Sequence, residues 1–179
     1  MLPVDTYFLP PTPYAPNSQL PVLHYRNVLP SHPSEETVTQ FLTANQWEKR
    51  GTWGHITIRH FHPNSHECYG IFRGSSKLLL GAGAGDRAGG FELSVQAGDV
   101  IVLPAGIAHS CVESSEDYQY IGVYPQRCPR WRNEMGNRPI DLRSLREETE
   151  RVAIPEADPV YGAGGPLLAL WKKTGKAKL

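Results

Sequence analysis

Between Gly51 and Pro125 the chain runs as a succession of short apolar segments, each closed by a turn signal, with no helical period among them. The segments are 54–62, 67–72, 77–80, 91–95, 100–103, 109–112 and 118–124. They have the length of β-strands rather than helices. Pro63-Asn64-Ser65, the Gly/Ala-rich loop 81–90 and Pro104-Ala105-Gly106 separate them and supply the backbone conformations that turns need. Repeated short strands without intervening helices leave few architectures open. The chain is predicted to be all-β, folded as a sandwich or barrel.

The flanks read differently. Residues 1–33 carry eight prolines and predict an extended arm, with 20–25 as a short edge strand, since proline suits an edge. The stretch 34–49 predicts one short helix ending near Trp47. Ser34 caps it, Glu35 and Glu36 favour its positive end, and Val38, Phe41, Leu42 and Asn45 fall on one face. The barrel is placed at 50–126. A C-terminal extension, 127–179, is expected to pack on it, with a short helix begun by a Ser144/Glu147 capping box and a Gly/Pro-rich run to Trp171.

Charge and cysteine content narrow the function. Lys plus Arg and Asp plus Glu each number 18, so nothing in the net charge calls for nucleic acid or an anionic membrane. Cys68, Cys111 and Cys128 are three widely spaced cysteines, the pattern of free thiols in a reducing compartment rather than of a disulfide framework. The proline-broken N-terminus lacks the basic and apolar regions of a signal peptide. No apolar run reaches the length of a membrane span, and the basic ending is expected to be a solvated tail. A cytoplasmic protein with a small-molecule ligand is expected.

The residues that carry chemistry are histidines. On a strand at 54–62, His60 and His62 share a face with Ile56 and Ile58, which are expected to turn that face to the core. Imidazoles projecting into an apolar barrel are either neutral and hydrogen-bonded or bound to metal. Glu67 lies just past the next turn, and His109 heads a strand after Pro104-Ala105-Gly106. Three imidazoles and a carboxylate suit one divalent ion: Fe, Mn, Ni, Cu or Zn. His66 adjoins Glu67, but alternation turns neighbours to opposite faces. Glu67 is therefore favoured as ligand, with His66 at the surface or supporting the site. His24, His32 and His55 are expected at the surface or in turns.

These residues resemble the two motifs of the cupin superfamily. The first motif is Gly, five residues, His-x-His, three or four residues, Glu, six residues, Gly; Gly54, His60, His62, Glu67 and Gly74 match it. The second is Gly, five residues, Pro-x-Gly, two residues, His, three residues, Asn; Gly98, Pro104, Gly106 and His109 match, with Glu113 in place of Asn. The segments 62–67, 98–106, 123–125 and 154–162, with Trp171, look like the YjlB-like cupins. The resemblance implies a double-stranded β-helix (the RmlC-like jelly roll), metal ligands at His60, His62, Glu67 and His109, and a homodimer. It implies an enzyme of dioxygenase type, or a metal-assisted isomerase in which Glu67 moves a proton, or a non-catalytic binding module.

The remaining candidates read as structural. The glycine-rich 81–86 is a hairpin loop rather than a dinucleotide site, since no helix follows it. Tyr69, Phe72, Tyr118, Tyr120 and Tyr124 are expected to fill the barrel wall, one or two of them lining a pocket. Arg59 and Arg73 are expected to point outward. Cys68 and Cys111 read as buried structural thiols.

Overall fold

The computed structural model describes residues 4–176, and side chains through Lys172. Strands β1 (Val4–Tyr7), β2 (Val22–Tyr25), β3 (Trp47–Trp53), β4 (Glu67–Arg73), β5 (Ser75–Leu80), β6 (Phe91–Gln96), β7 (Val100–Leu103), β8 (His109–Ser114) and β9 (Gln119–Pro125) make up the body. Helices α1 (Glu35–Thr43), α2 (Leu142–Glu150) and α3 (Pro166–Lys176) flank it. The strands form two antiparallel sheets, one in the order β1-β2-β7-β4-β9-β3 and one in the order β6-β5-β8. The body is all-β and two-sheeted, as the strand pattern predicts, and is consistent with the jelly roll that the resemblance implies.

Alternation along the strands builds two cores. Tyr69, Ile71, Leu78, Leu80, Leu93, Val95, Ile101, Leu103 and Tyr120 fill the space between the sheets. Cys68, Phe72, Val100, Val102, Ile121 and Val123 point the other way, under Val38 and Leu42 of α1 and Leu167 and Trp171 of α3. That double burial explains why β4 and β7 read as continuous apolar runs. Gly70 lies beneath α1, where a Cβ would come within 2.6 Å of Val38 and 2.7 Å of Leu42. Helix α1 can approach β4 only because this residue has no side chain.

Several expectations are corrected. Helix α1 is capped by Ser34 as foreseen, with Thr37 completing the box, but it ends at Thr43 rather than near Trp47. Gln46 takes a left-handed conformation (φ 64°), and Trp47 already opens β3, donating its indole N–H to the Ala157 carbonyl at 2.9 Å. The strand at 22–25 is not an edge: it lies between β1 and β7. Pro21 stands just before the paired residues, so it removes no ladder bond, and β1 takes the edge. Asp141, not Ser144, caps α2, accepting from the Ser144 N–H at 3.2 Å. Helix α3 replaces the irregular run expected before Trp171. The basic ending 171–179, expected to be a solvated tail, instead continues α3 through Lys176 with Trp171 buried; residues 177–179 lie outside the described residues.

The largest correction concerns 54–62. No regular strand forms there; only single bridges join His60 to His109 and Phe61 to Glu134. The Ile58 carbonyl, which a ladder would use, accepts instead from the His60 ring. Ile58 is 61% exposed, so this segment runs along the rim of the barrel rather than through its core. Among the described residues no helix is long and apolar enough to cross a membrane.

Candidate metal centre

His60 and His62 reach the site from the rim segment, Glu67 opens β4, and His109 opens β8. Alternation on β4 sends Glu67, Tyr69 and Ile71 inward and His66, Cys68 and Phe72 outward, as the pleat requires. The three imidazoles each offer a nitrogen within 4.8 Å of the others. The Glu67 Oε2 lies 3.2 Å from His62 Nε2 and 3.3 Å from His109 Nε2. Four residues separated by up to 49 positions in the chain (109 − 60) thus meet at one point.

The hydrogen bonds around them fix which atoms face that point. His60 Nδ1 contacts the Ile58 carbonyl at 2.8 Å, His62 Nδ1 that of Arg132 at 3.1 Å, and His109 Nδ1 that of Ile107 at 2.9 Å. A carbonyl oxygen only accepts, so each Nδ1 carries the proton and each Nε2 presents a lone pair. Glu67 Oε1 accepts from the Tyr124 hydroxyl. Glu67 Oε2 and His109 Nε2 are buried with no hydrogen-bond donor. Buried acceptors turned on one another without a proton between them are costly. A cation resolves that conflict, and the donor set fits one: His60, His62 and His109 could hold a metal ion.

Electrostatics follow from the same geometry. Burial, with His109 beside it, holds the His60 pKa down to about 4. Burial pulls His62 down too, but its contact with Glu67 outweighs this and raises it. Burial pushes the Glu67 carboxyl up; the neighbouring His109 and His62 more than reverse that and hold it well below the usual carboxylate range. Burial and the Glu67 carboxylate together push the Tyr124 phenol far up, so it stays a donor.

A pocket of about 210 Å³ opens beside these atoms, walled by Trp53, Tyr69, Tyr120, Tyr124 and Trp131, with Ile56, Ile58, Asn133 and Met135 at its mouth. Trp131 stacks on Tyr124 (4.9 Å between centroids, 12° between planes) and meets Trp53 edge-on (6.0 Å, 87°). The pleat settles which aromatics serve it: Tyr69, Tyr120 and Tyr124 do, whereas Phe72 belongs to the outer core and Tyr118 lies deeper in the barrel. Trp131, Asn133 and Met135 escaped sequence reasoning, because they come from an irregular segment with no period; Glu134, bridged to Phe61, pins that segment over the site. Larger cavities of about 560, 510 and 280 Å³ lie away from the four residues.

The other histidines differ from expectation. His24 is fully buried, not at the surface, with Nε2 3.0 Å from Asp99 Oδ2. His66 is buried as well. Its Nδ1 accepts from the Ala105 N–H at 3.0 Å and its ring lies 4.7 Å from that of Trp171, on the side of the sheet away from the three imidazoles. His32 and His55 are exposed. Cys111, buried as foreseen, has a neighbour the sequence did not suggest, His55 Nδ1 at 3.1 Å.

Residues 56–127 match the family model described as cupin. Over those residues the barrel is similar to a cupin domain. Over 170 residues the chain is 28% identical to the uncharacterized protein YjlB of Bacillus subtilis (strain 168), covering 94% of this chain and 97% of that protein. Among solved structures it is similar to procruciferin, an 11S globulin of Brassica napus (16% identity, TM-score 0.39). That match covers 65% of this chain and 28% of the globulin chain. A variant of Bacillus subtilis oxalate decarboxylase OxdC gives 16% identity and a TM-score of 0.35, again over 65% of this chain and 28% of that one.

Proposed function

We propose that His60, His62, Glu67 and His109 hold one divalent metal ion, and that this protein is an enzyme acting on a small organic molecule at that ion. The observation that carries the reading is the common orientation of the imidazoles. All three commit Nδ1–H to backbone carbonyls, which leaves three lone pairs and the free Glu67 oxygen facing one another. A bound ion supplies either electron transfer to dioxygen, if redox-active, or polarisation of a substrate oxygen, if not.

Dioxygenase-type chemistry is favoured over isomerisation by the state of Glu67. An isomerase needs a group free to accept and return a proton. Glu67 Oε1 is engaged by Tyr124, and Oε2, which lies 3.2–3.3 Å from the His62 and His109 Nε2 atoms, would on this reading be committed to the ion rather than to a proton. The tyrosines lining the pocket are held far above neutrality, Tyr69 and Tyr120 chiefly by burial. The chain's part is then to bind and orient the substrate against aromatic walls and to keep bulk water out. Oxygen uptake by iron-loaded protein, with catechols, flavonols, β-diketones and thiols as substrates, tests this. Uptake with one class is expected; isomerised product without oxygen consumption would select the alternative.

A further inference from the structure

On the side of β4 away from the metal centre, a cavity of about 510 Å³ lies between the end of β9 and the segment that follows α2. Pro125 and Pro129 line it from the first, Val152 and Ile154 from the second, and His66 belongs to the lining as well. It shares no lining residue with the aromatic pocket beside the three imidazoles. Its volume falls within the roughly 300–1,000 Å³ of pockets that take small organic molecules.

His66 has one ring nitrogen engaged and one not. Nδ1 accepts the Ala105 N–H at 3.0 Å, so in the neutral ring the proton sits on Nε2. That Nε2–H is buried and has no hydrogen-bond partner among the described residues; the Ala153 carbonyl lies near it without completing a bond. The residue is 1% exposed, and its ring lies against that of Trp171, 4.7 Å between centroids. Packed in this way, the ring cannot swing its donor out to solvent. A buried donor left unpaired is costly, and an acceptor atom inside the cavity removes that cost.

The charged residues of the lining are two of each sign: Arg127, Arg151, Glu148 and Glu156. Glu148 takes two bonds from Arg132, at 2.9 and 3.0 Å, and Arg151 lies 3.8 Å from Glu147. Arg127 and Glu156 are exposed and opposite in sign. No net charge remains in the lining to balance that of a ligand, and burying an unbalanced charge is costly.

We propose that this cavity is a second ligand site, for a small uncharged organic molecule with an apolar body and one carbonyl oxygen. The oxygen accepts the His66 Nε2–H, while the prolines, Val152 and Ile154 cover the body. No covalent bond is made or broken. The site stands apart from the metal reading above and survives its failure.

Titration of the full chain with caprolactam, followed by nuclear magnetic resonance of the histidine ring N–H groups, tests this. Hexanoate and cyclohexylamine serve as an anion and a cation of similar size. The His66 signal is recognised by its cross-relaxation with the Trp171 ring. Caprolactam is expected to shift that signal saturably and to bind about tenfold or more tightly than either charged probe. The affinity is expected to be the same for zinc-loaded and zinc-free protein. In His66→Asn, the amide oxygen can still accept the Ala105 N–H but the Nε2 donor is gone, and binding is expected to fall about tenfold. Ala153→Trp, at an exposed position on the lining, fills the cavity instead and is expected to abolish binding even if His66→Asn does not fold. An unmoved His66 signal would mean that water satisfies the donor, and it overturns the proposal. So does hexanoate or cyclohexylamine binding as tightly as caprolactam, binding that requires zinc, or full affinity in either folded variant.

Discussion

Replacing Tyr124 by Phe removes one hydroxyl and leaves the rest of the site intact. The Tyr124 side chain is 1% exposed. Its ring packs on Trp131 and lies under Arg50, contacts that Phe retains. What is lost is the hydrogen bond to Glu67 Oε1. A buried hydrogen bond to a charged group is worth roughly 1.5–3 kcal/mol. Removal of the partner that orients a metal ligand typically weakens affinity about 10–100-fold, and at about 1.4 kcal/mol per tenfold the two figures agree. Zinc affinity is measured by competition with a chromogenic chelator, and urea unfolding of the metal-free protein is followed in parallel. Tyr124→Phe is expected to bind zinc roughly 10–100-fold more weakly. Affinity within twofold of the parent, with the urea midpoint lowered, would refute the reasoning: the hydroxyl would then hold the fold and not the ligand.

Other expectations concern how the flanks and the turns hold the barrel. Asp158 is fully buried and accepts from the Tyr25 hydroxyl at 2.6 Å and from the N–H groups of Val160, Tyr161 and Leu167 at 2.8–3.0 Å. Asp158→Ala leaves those donors unpaired and is expected to cost about 3–5 kcal/mol in urea unfolding, against about 1–2 for Tyr25→Phe; equal costs would refute the shared role. Burial raises the Asp99 carboxyl, but His24 and the N–H groups of Asn27 and Gln96 outweigh it and lower its pKa. A folded pKa below the unfolded value of about 3.9 means stability present above that pH and lost as pH falls through the folded value. Asp99→Asn is expected to be less stable near neutrality and to show a shallower acid limb; an unchanged limb in urea unfolding from about pH 6 to about pH 3 would contradict this.

What the sequence shows of this fold is what one strand's alternation can carry. The strand at 100–103 was legible to the residue, because β7 is buried on both faces and turn residues bracket it. Alternation also separated His66 from Glu67, since neighbours on a pleated strand cannot share a face. It failed at 54–62, where the apolar Ile58 lies exposed at a rim and the backbone gives its carbonyl to a side chain. His24 and His66 were misjudged because their burial depends on Asp99 and Trp171, distant partners that no local pattern announces. Trp131 shows the same limit: an irregular segment carries it across the site, held by the Phe61–Glu134 bridge. Helix α3 was legible in principle, with Leu167 and Trp171 buried four residues apart, but glycines and prolines around it masked the period.

The metal content of the purified chain tests the central claim most directly. Protein prepared without chelator is analysed by plasma mass spectrometry, alongside a His60→Ala, His62→Ala double variant whose fold is checked by circular dichroism. The expected result is about one divalent ion per parent chain and almost none in the folded variant. Full metal content in the variant, or a folded parent that takes up no ion from Fe, Mn, Ni, Cu or Zn, would contradict it.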